Sequence, residues 1–184
     1  MADWRIQART PVARTDFITL YKDSYRKNNS EDAAFYVLDL PNWVNIVAIT
    51  AEGRVILVRQ FRFGSRRKHL EIPGGAIDGS DASPLSAARR ELKEETGYTG
   101  GSWTHLGACW ANPAIQNNRC HTFLATGLTH TQQPQWDRHE EMEIVTFPVQ
   151  DVMDMVYSGR INHAIIIAAL MKAQPLLRTQ FLLP

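Results

Sequence analysis

The chain has 184 residues, of which 44% are hydrophobic, and a formal net charge of +1. This length predicts one domain with a sizeable core, and the balanced charge excludes a strongly basic surface for nucleic acid. The two cysteines form neither a disulfide framework nor a CxxC metal pattern, which is typical of reduced thiols inside the cell. The N-terminus has no apolar signal core, and the longest apolar run, residues 164–171, is far shorter than the roughly 20 residues of a membrane span. We therefore expect a cytoplasmic protein with no membrane or nucleic-acid partner.

The first 40 residues predict an N-terminal β-hairpin. Residues 17–21 and 35–38 have the pattern of strands, and a polar turn at residues 27–30 separates them. Residues 43–50 and 55–58 follow as two nearly continuous apolar runs, which is typical of strands buried on both faces. The chain thus begins with at least four predicted strands.

Residues 84–96 predict a helix with well-defined ends. Ser83 can act as the N-cap, and Pro84 suits the first helical position, where its missing N–H is not needed. Gly97 can end the helix in a left-handed conformation.

Three acids crowd the C-terminal half of this helix. Glu91 and Glu95 share one face, with Glu94 beside them, although the helix dipole disfavours carboxylates there. A solvated acidic face is one interpretation, and a site for a hard divalent cation is the other. The preceding loop PGGA, residues 73–76, favours the cation site because adjacent glycines let the main chain approach a ligand closely.

The loop and the helix together resemble the Nudix box, whose pattern is G, five residues, E, seven residues, then R-E-apolar-x-E-E-x-G-apolar. Gly75 begins this pattern, and residues 90–98, RELKEETGY, match its second half position by position. The first half departs from the pattern, because Asp81, which follows Gly75 after five intervening residues, stands in place of the Glu, and eight residues instead of seven then precede Arg90. Counted back from Arg90, the position of the Glu holds Ala82. It stays open whether Asp81 takes the supporting role of the missing Glu.

The segment VRQFR, followed shortly by LEIPGG, is similar to the ADP-ribose and nucleotide-sugar branch of the Nudix hydrolases. This resemblance implies that Arg62 contacts the substrate phosphates and that Glu71 and Gly75 line the site. Guanidinium groups suit phosphate oxygens, whereas a solvated strand end is the alternative explanation of Arg62. Four neighbouring charges are interpreted as loop charge: Arg59, Arg66, Arg67 and Lys68. Four aromatic residues could stack on a base, although packing is the commoner role of each: Trp4, Tyr21, Tyr25 and Trp43.

The expected cofactor is Mg²⁺, or Mn²⁺, held by Glu91, Glu94, Glu95 and the carbonyl of Ala76. A P–O–P bond carries dense negative charge, which a divalent cation neutralises. Mg²⁺ keeps several waters and binds through a few carboxylates and substrate phosphates, so one helix can hold it. The number of ions stays open.

The remainder of the chain predicts strands at 103–110, 119–125 and 142–147 and a polar irregular segment at 127–141. It also predicts a helix at 149–157 and a last helix that Asn162 caps and that ends near residue 171. The resemblance implies a loop Glu that acts as general base. Alignment on the strand at 142–147 points to Glu140, with Glu141 next, and Glu94 is a third candidate. An acidic loop beside an edge strand is the alternative interpretation.

This order of elements predicts an α+β protein. The resemblance implies a Nudix fold, an α/β/α sandwich around a mixed sheet, over residues 41–184. An N-terminal antiparallel sheet in residues 1–40 would help build a homodimer. The implied function is metal-dependent hydrolysis of a nucleoside diphosphate sugar, with ADP-ribose first and GDP-mannose or related sugars behind. The alternatives are hydrolysis of dinucleoside polyphosphates or RNA 5′ ends, and a non-catalytic module that binds a nucleotide sugar.

Overall fold

The computed structural model describes residues 4–28, 30–136 and 141–181. These residues form two compact units. The first unit contains the described residues up to Asn42 together with Cys109–Arg119. The second contains Trp43–Ala108 together with the described residues from Cys120 onward.

The first unit contains a three-stranded antiparallel sheet in the order β1-β2-β3. Its strands are β1 Trp4–Arg14, β2 Thr19–Lys27 and β3 Ala33–Asp39. β2 and β3 form the predicted hairpin, so the expected N-terminal antiparallel sheet is confirmed. β1 has no counterpart among the predicted elements, because Pro11 and interspersed arginines hide any apolar alternation.

The second unit is built on a mixed sheet in the order β10-β5-β4-β9-β8, with β6 paired to β5 and β7 paired to β4. β4 and β9 are parallel, whereas β4 and β5 are antiparallel. The strands are β4 Trp43–Thr50, β5 Arg54–Arg62, β6 Arg67–Glu71, β7 Gly74–Ala76, β8 Tyr98–Trp110, β9 Arg119–His130 and β10 Met142–Pro148. β9 continues into residues 127–130, so the irregular segment predicted from residue 127 is wrong at its start.

Helices cover both faces of this sheet. α1, Pro84–Thr96, packs on one face with Ile46 and Ala48 of β4. α2, Val149–Tyr157, and α3, Ala164–Phe181, pack on the other face with Val47 and Ile49. Successive strand residues point to opposite faces, so both faces of β4 are buried and its sequence is apolar except for Asn45 and Thr50. The predicted α/β/α sandwich is confirmed.

The ends of α1 lie where the sequence predicts them, whereas the C-terminal end of α3 does not. Ser83 accepts a hydrogen bond from the backbone N–H of Ser86, and Gly97 adopts a left-handed φ of 72°, so the predicted bounds of α1 are confirmed. The predicted end of α3 near residue 171 is wrong. α3 continues through Pro175 because Ala173 and Leu177 extend its buried face. Within the described residues, no helix is long and apolar enough to cross a membrane.

Candidate functional site

A cavity of about 360 Å³ opens beside the first residues of β4 in the second unit. Strand pairing builds one side of it, because Trp43, Val44 and Asn45 pair with Ala76, Gly75 and Gly74 of β7. The other polar groups in its wall are Arg62, Glu71 and His163. The cavity therefore collects four of the residues that the sequence nominated for substrate binding: Trp43, Arg62, Glu71 and Gly75.

The two glycines of β7 permit a close approach to neighbouring groups. A Cβ on Gly74 would lie 2.2 Å from the carbonyl oxygen of Val44, and a Cβ on Gly75 would lie 2.5 Å from the carboxyl carbon of Glu91. The N–H of Gly74 donates to Oε2 of Glu95 at 3.0 Å. The glycine loop and the acids of α1 are thus brought into direct contact.

Arg90 gathers the carboxylates around the glycine loop. Its guanidinium lies 3.0 Å from Glu91, 3.0 Å from Glu94 and 2.8 Å from Asp81. It also donates to the carbonyl of Ala76 at 3.0 Å, and Asp78 lies 3.8 Å away. Four carboxylates therefore share one positive charge.

Asp81 belongs to this group of carboxylates despite the extra residue that separates it from Arg90 in the chain. Hydrogen bonds from Arg90 lower the pKa of the Asp81 carboxyl and outweigh the opposing effect of burial. Conversely, the carboxylates, Asp81 first, raise the pKa of Arg90. Asp81 thus stays ionised and holds the Arg90 guanidinium beside Glu91 and Glu94, which is a supporting position.

Glu71 is the most buried acid of the cavity, with 1% of its surface exposed. Its Oε2 accepts from Nη2 of Arg62 at 2.6 Å and from Nε at 3.2 Å. Its Oε1 lies 2.9 Å from Nδ1 of His163. Burial raises the pKa of Glu71, but hydrogen bonds from His163 and Arg62 outweigh burial and lower the pKa to about 2. Glu71 is therefore ionised and already bonded, which suits it to positioning rather than to proton transfer.

Two polar side chains of the cavity wall, those of Asn45 and His163, were not nominated by the sequence. Asn45 is 5% exposed, and its Nδ2 donates to the carbonyl of Ile165 at 3.3 Å. A lone amide inside an apolar strand was the signal that could have identified it. His163 belongs to no motif, and no sequence signal singles it out.

Gln135 and Trp136 cap the C-terminal end of α1. Nε1 of Trp136 donates to the carbonyl of Glu95 at 2.9 Å, and the N–H of Gln135 donates to the carbonyl of Glu94 at 2.8 Å. Carbonyls in the last turn of a helix have no partner within the helix, so this segment satisfies them. Glu141 is exposed and directly precedes β10. Glu140 lies outside the described residues.

Oxygen atoms alone make up the donor set around Gly75, namely the carboxylates of Glu91, Glu94 and Glu95 and the carbonyl of Ala76. Such donors suit a hard divalent cation, so the residues fit the group that the sequence predicts. Among the described residues, no three His, Cys, Asp or Glu side chains form a ready-made metal site. Glu91 and Glu94 instead accept from Nη1 of Arg90, and Glu95 accepts from the N–H of Gly74.

Comparisons with known proteins identify the family of this chain. The family model of the NUDIX domain matches residues 40–170. The chain is 30% identical over 158 residues to the ADP-ribose pyrophosphatase of Bacillus subtilis (strain 168), covering 85% of each chain. It is 31% identical over 130 residues to the ADP-ribose pyrophosphatase of Mycobacterium tuberculosis (strain ATCC 25618 / H37Rv), covering 70% of this chain and 62% of that one. The fold matches a crystal structure of an ADP compounds hydrolase with a TM-score of 0.84 and 26% identity, covering 96% of this chain and 95% of that chain. The chain therefore belongs to the Nudix family of hydrolases, as its sequence predicts.

Proposed function

We propose that this hydrolase cleaves the pyrophosphate bond of a nucleoside diphosphate sugar, with ADP-ribose as the leading substrate. The products would be a nucleoside monophosphate and a sugar phosphate. GDP-mannose and other nucleotide sugars are weaker candidates. The names of the similar proteins support ADP-ribose, and the charge distribution of the site supports a diphosphate.

One observation carries the proposal. The single guanidinium of Arg90 lies within 4 Å of four carboxylates, Asp78, Asp81, Glu91 and Glu94, which leaves an excess of negative charge beside the cavity. A divalent cation and the substrate it carries would balance this charge. On the other side of the cavity, the half-exposed guanidinium of Arg62 can meet the phosphate oxygens.

We infer that Mg²⁺, or Mn²⁺, is the ion, held by Glu91, Glu94, Glu95 and the carbonyl of Ala76. When bound, such an ion neutralises phosphoryl oxygens and acidifies bound water. The chain supplies the remaining functions. Arg62 would bind the diphosphate, held in place by Glu71, and Trp43 in the cavity wall would stack on the base. A carboxylate oxygen of Glu140 or Glu141, or of Glu94, would accept the proton of the attacking water.

Incubation of the purified chain with Mg²⁺ and a panel of substrates tests this function. The panel contains ADP-ribose, GDP-mannose, other nucleotide sugars, the dinucleoside polyphosphate Ap4A and capped RNA, and chromatography detects released monophosphate. We expect AMP and ribose 5-phosphate from ADP-ribose, and no release with EDTA. Cleavage of Ap4A or capped RNA in the absence of nucleotide-sugar cleavage would show that the substrate class is wrong. Binding of a nucleotide sugar without turnover would show a non-catalytic module.

We also propose that residues 1–40 mediate a homodimer of the Nudix domain over residues 41–184. Trp4 and Phe35 pack edge to face with ring centroids 6.1 Å apart, and both are about half exposed. Exposed aromatic clusters of this kind mark interaction surfaces. Phe35→Asp should halve the mass measured by light scattering. Tyr36→Asp, on the opposite face of the same strand, should leave the mass unchanged. Equal masses for wild type and Phe35→Asp would contradict the proposal.

A further inference from the structure

Two consecutive residues just before α3 bind two alternate residues of β6. Oδ1 of Asn162 lies 3.1 Å from Nδ1 of His69, and Nδ1 of His163 lies 2.9 Å from Oε1 of Glu71. His69 and Glu71 are two residues apart on a strand, so both side chains project from one face of β6. Asn162 and His163 therefore form a two-residue contact on this face, and only its second member reaches into the cavity.

The His163 contact determines the orientation of the Glu71 carboxylate. His163 is the nearest partner of Oε1 at 2.9 Å, while Nε of Arg62 also reaches Oε1 at 3.3 Å. Oε2 accepts the shorter bonds from Arg62, at 2.6 Å from Nη2 and 3.2 Å from Nε. Without His163, Oε1 would keep the longer bond from Nε of Arg62, and the carboxylate could rotate about its terminal bond, because that torsion is broad. Arg62 would then lose the fixed pair of acceptors that aligns its planar guanidinium.

We propose that His163 is a positioning residue for diphosphate binding, acting through Glu71 on the orientation of the Arg62 guanidinium. This inference rests on the proposed function, in which Arg62 meets the substrate phosphates. His163 does not touch the reacting atoms in this role. It restrains the buried carboxylate of Glu71, which in turn holds the half-exposed guanidinium of Arg62 toward the cavity.

Substitutions at position 163 distinguish this role from simple packing. The amide nitrogen of an asparagine can occupy the place of Nδ1, whereas that of a glutamine occupies the place of Nε2. We therefore expect His163→Leu and His163→Gln to raise both KM for ADP-ribose and its metal-free Kd about tenfold, with kcat within about twofold of wild type. His163→Asn should restore most of the lost affinity.

Asn162→Ala is the matched control. It removes the neighbouring contact to His69 from the same loop and the same strand, but leaves Glu71 with both partners. We expect KM and Kd within about twofold of wild type. If Asn162→Ala and His163→Leu weaken binding equally, the loop acts as a whole and the proposal is wrong. Thermal unfolding of each variant shows whether it is folded. If His163→Leu is not folded, His163→Gln takes its place in the comparison.

A double-mutant cycle tests the path through Arg62. If His163 acts by way of Arg62, His163→Leu should change Kd little in an Arg62→Ala background, so the two effects should be strongly non-additive. Additive effects would overturn the proposal, because His163 would then contribute to binding independently.

Inorganic pyrophosphate separates this inference from the proposed function. Calorimetry with pyrophosphate reports on Arg62 even if no nucleotide sugar is bound or cleaved. We expect His163→Leu, but not Asn162→Ala, to weaken pyrophosphate binding about tenfold. Unchanged pyrophosphate affinity in His163→Leu, or no pyrophosphate binding by the wild type, would refute the positioning role. Failure of nucleotide-sugar turnover alone would refute only the proposed function.

Discussion

The carboxylates on the β6 side of the cavity and those on the α1 side differ in how they are paired with positive charge. On the β6 side, Glu71 is 1% exposed and is fully bonded by Arg62 and His163. On the α1 side, Glu91, Glu94 and two aspartates share Arg90. A buried carboxylate costs little free energy when it is paired, whereas crowded carboxylates repel one another. The comparison teaches that the β6 side pairs its carboxylate within the protein, whereas the α1 side sets four carboxylates around one guanidinium, which the proposed divalent cation would balance.

The largest expected effect lies on the α1 side. Glu95→Gln should lower kcat/KM for ADP-ribose about a thousandfold, because it would remove a negatively charged ligand of the proposed divalent cation. Mg²⁺-dependent AMP release measures this loss, and circular dichroism should show a folded variant. Glu52→Gln, in the distant β4–β5 turn, is the control and should keep wild-type activity. An active Glu95→Gln enzyme would show that the site assignment is wrong.

The next largest effect lies on the β6 side and concerns stability. The pKa of Glu71 is lowered to about 2 in the folded chain, so its stabilising contribution is full above the unfolded pKa of about 4.5 and is lost as the pH falls toward 2. Glu71→Gln should therefore cost up to about 3 kcal/mol of unfolding free energy at pH 7, and much less at pH 3. Urea denaturation of both proteins at the two pH values measures the difference. A gap that stays constant with pH would mean that Glu71 is not the source.

Substitutions of the adjacent glycines Gly74 and Gly75 form a matched pair, and their expected effects are of intermediate size. Gly75→Ala places a methyl group against the flexible carboxyl end of Glu91, which can move aside, so we expect a tenfold to hundredfold loss of activity with little loss of stability. Gly74→Ala places it against the backbone oxygen of Val44, which cannot move, so we expect a stability loss of about 2 kcal/mol. Activity assays and thermal melts should show these opposite profiles. Identical profiles would remove the distinction between a site glycine and a packing glycine.

The smallest effect concerns the segment that caps α1. Trp136→Phe removes the donor to the carbonyl of Glu95 and should cost about 1 kcal/mol of stability and less than about tenfold in activity. Trp103→Phe removes an indole bond of the same 2.9 Å length to the carbonyl of Gly100, away from the acids, and should affect stability alone. Equal activity in the two variants would show that the cap does not support the α1 side.

The elements that the sequence predicts well depend on neighbouring residues. α1 has its cap, its proline and its terminal glycine within a few positions, so local rules are sufficient to locate it. The acids follow from helical spacing alone, which places Glu91 and Glu95 on one face. α3 shows where local rules fail, because Pro175 suggests an end to the helix while buried Leu177 carries it onward.

The sequence by itself determined the family, the helix with its three acids and the glycine loop that contacts them, because each depends on residues close together in the chain. The cytoplasmic location, the ion and the general base stay predictions. Only the tertiary structure decided that His163 meets Glu71, 92 residues away, and that Trp136 bonds the carbonyl of Glu95, 41 residues away. Such partners carry no local signal, since they are brought together by strand pairing and helix packing and not by spacing along the chain.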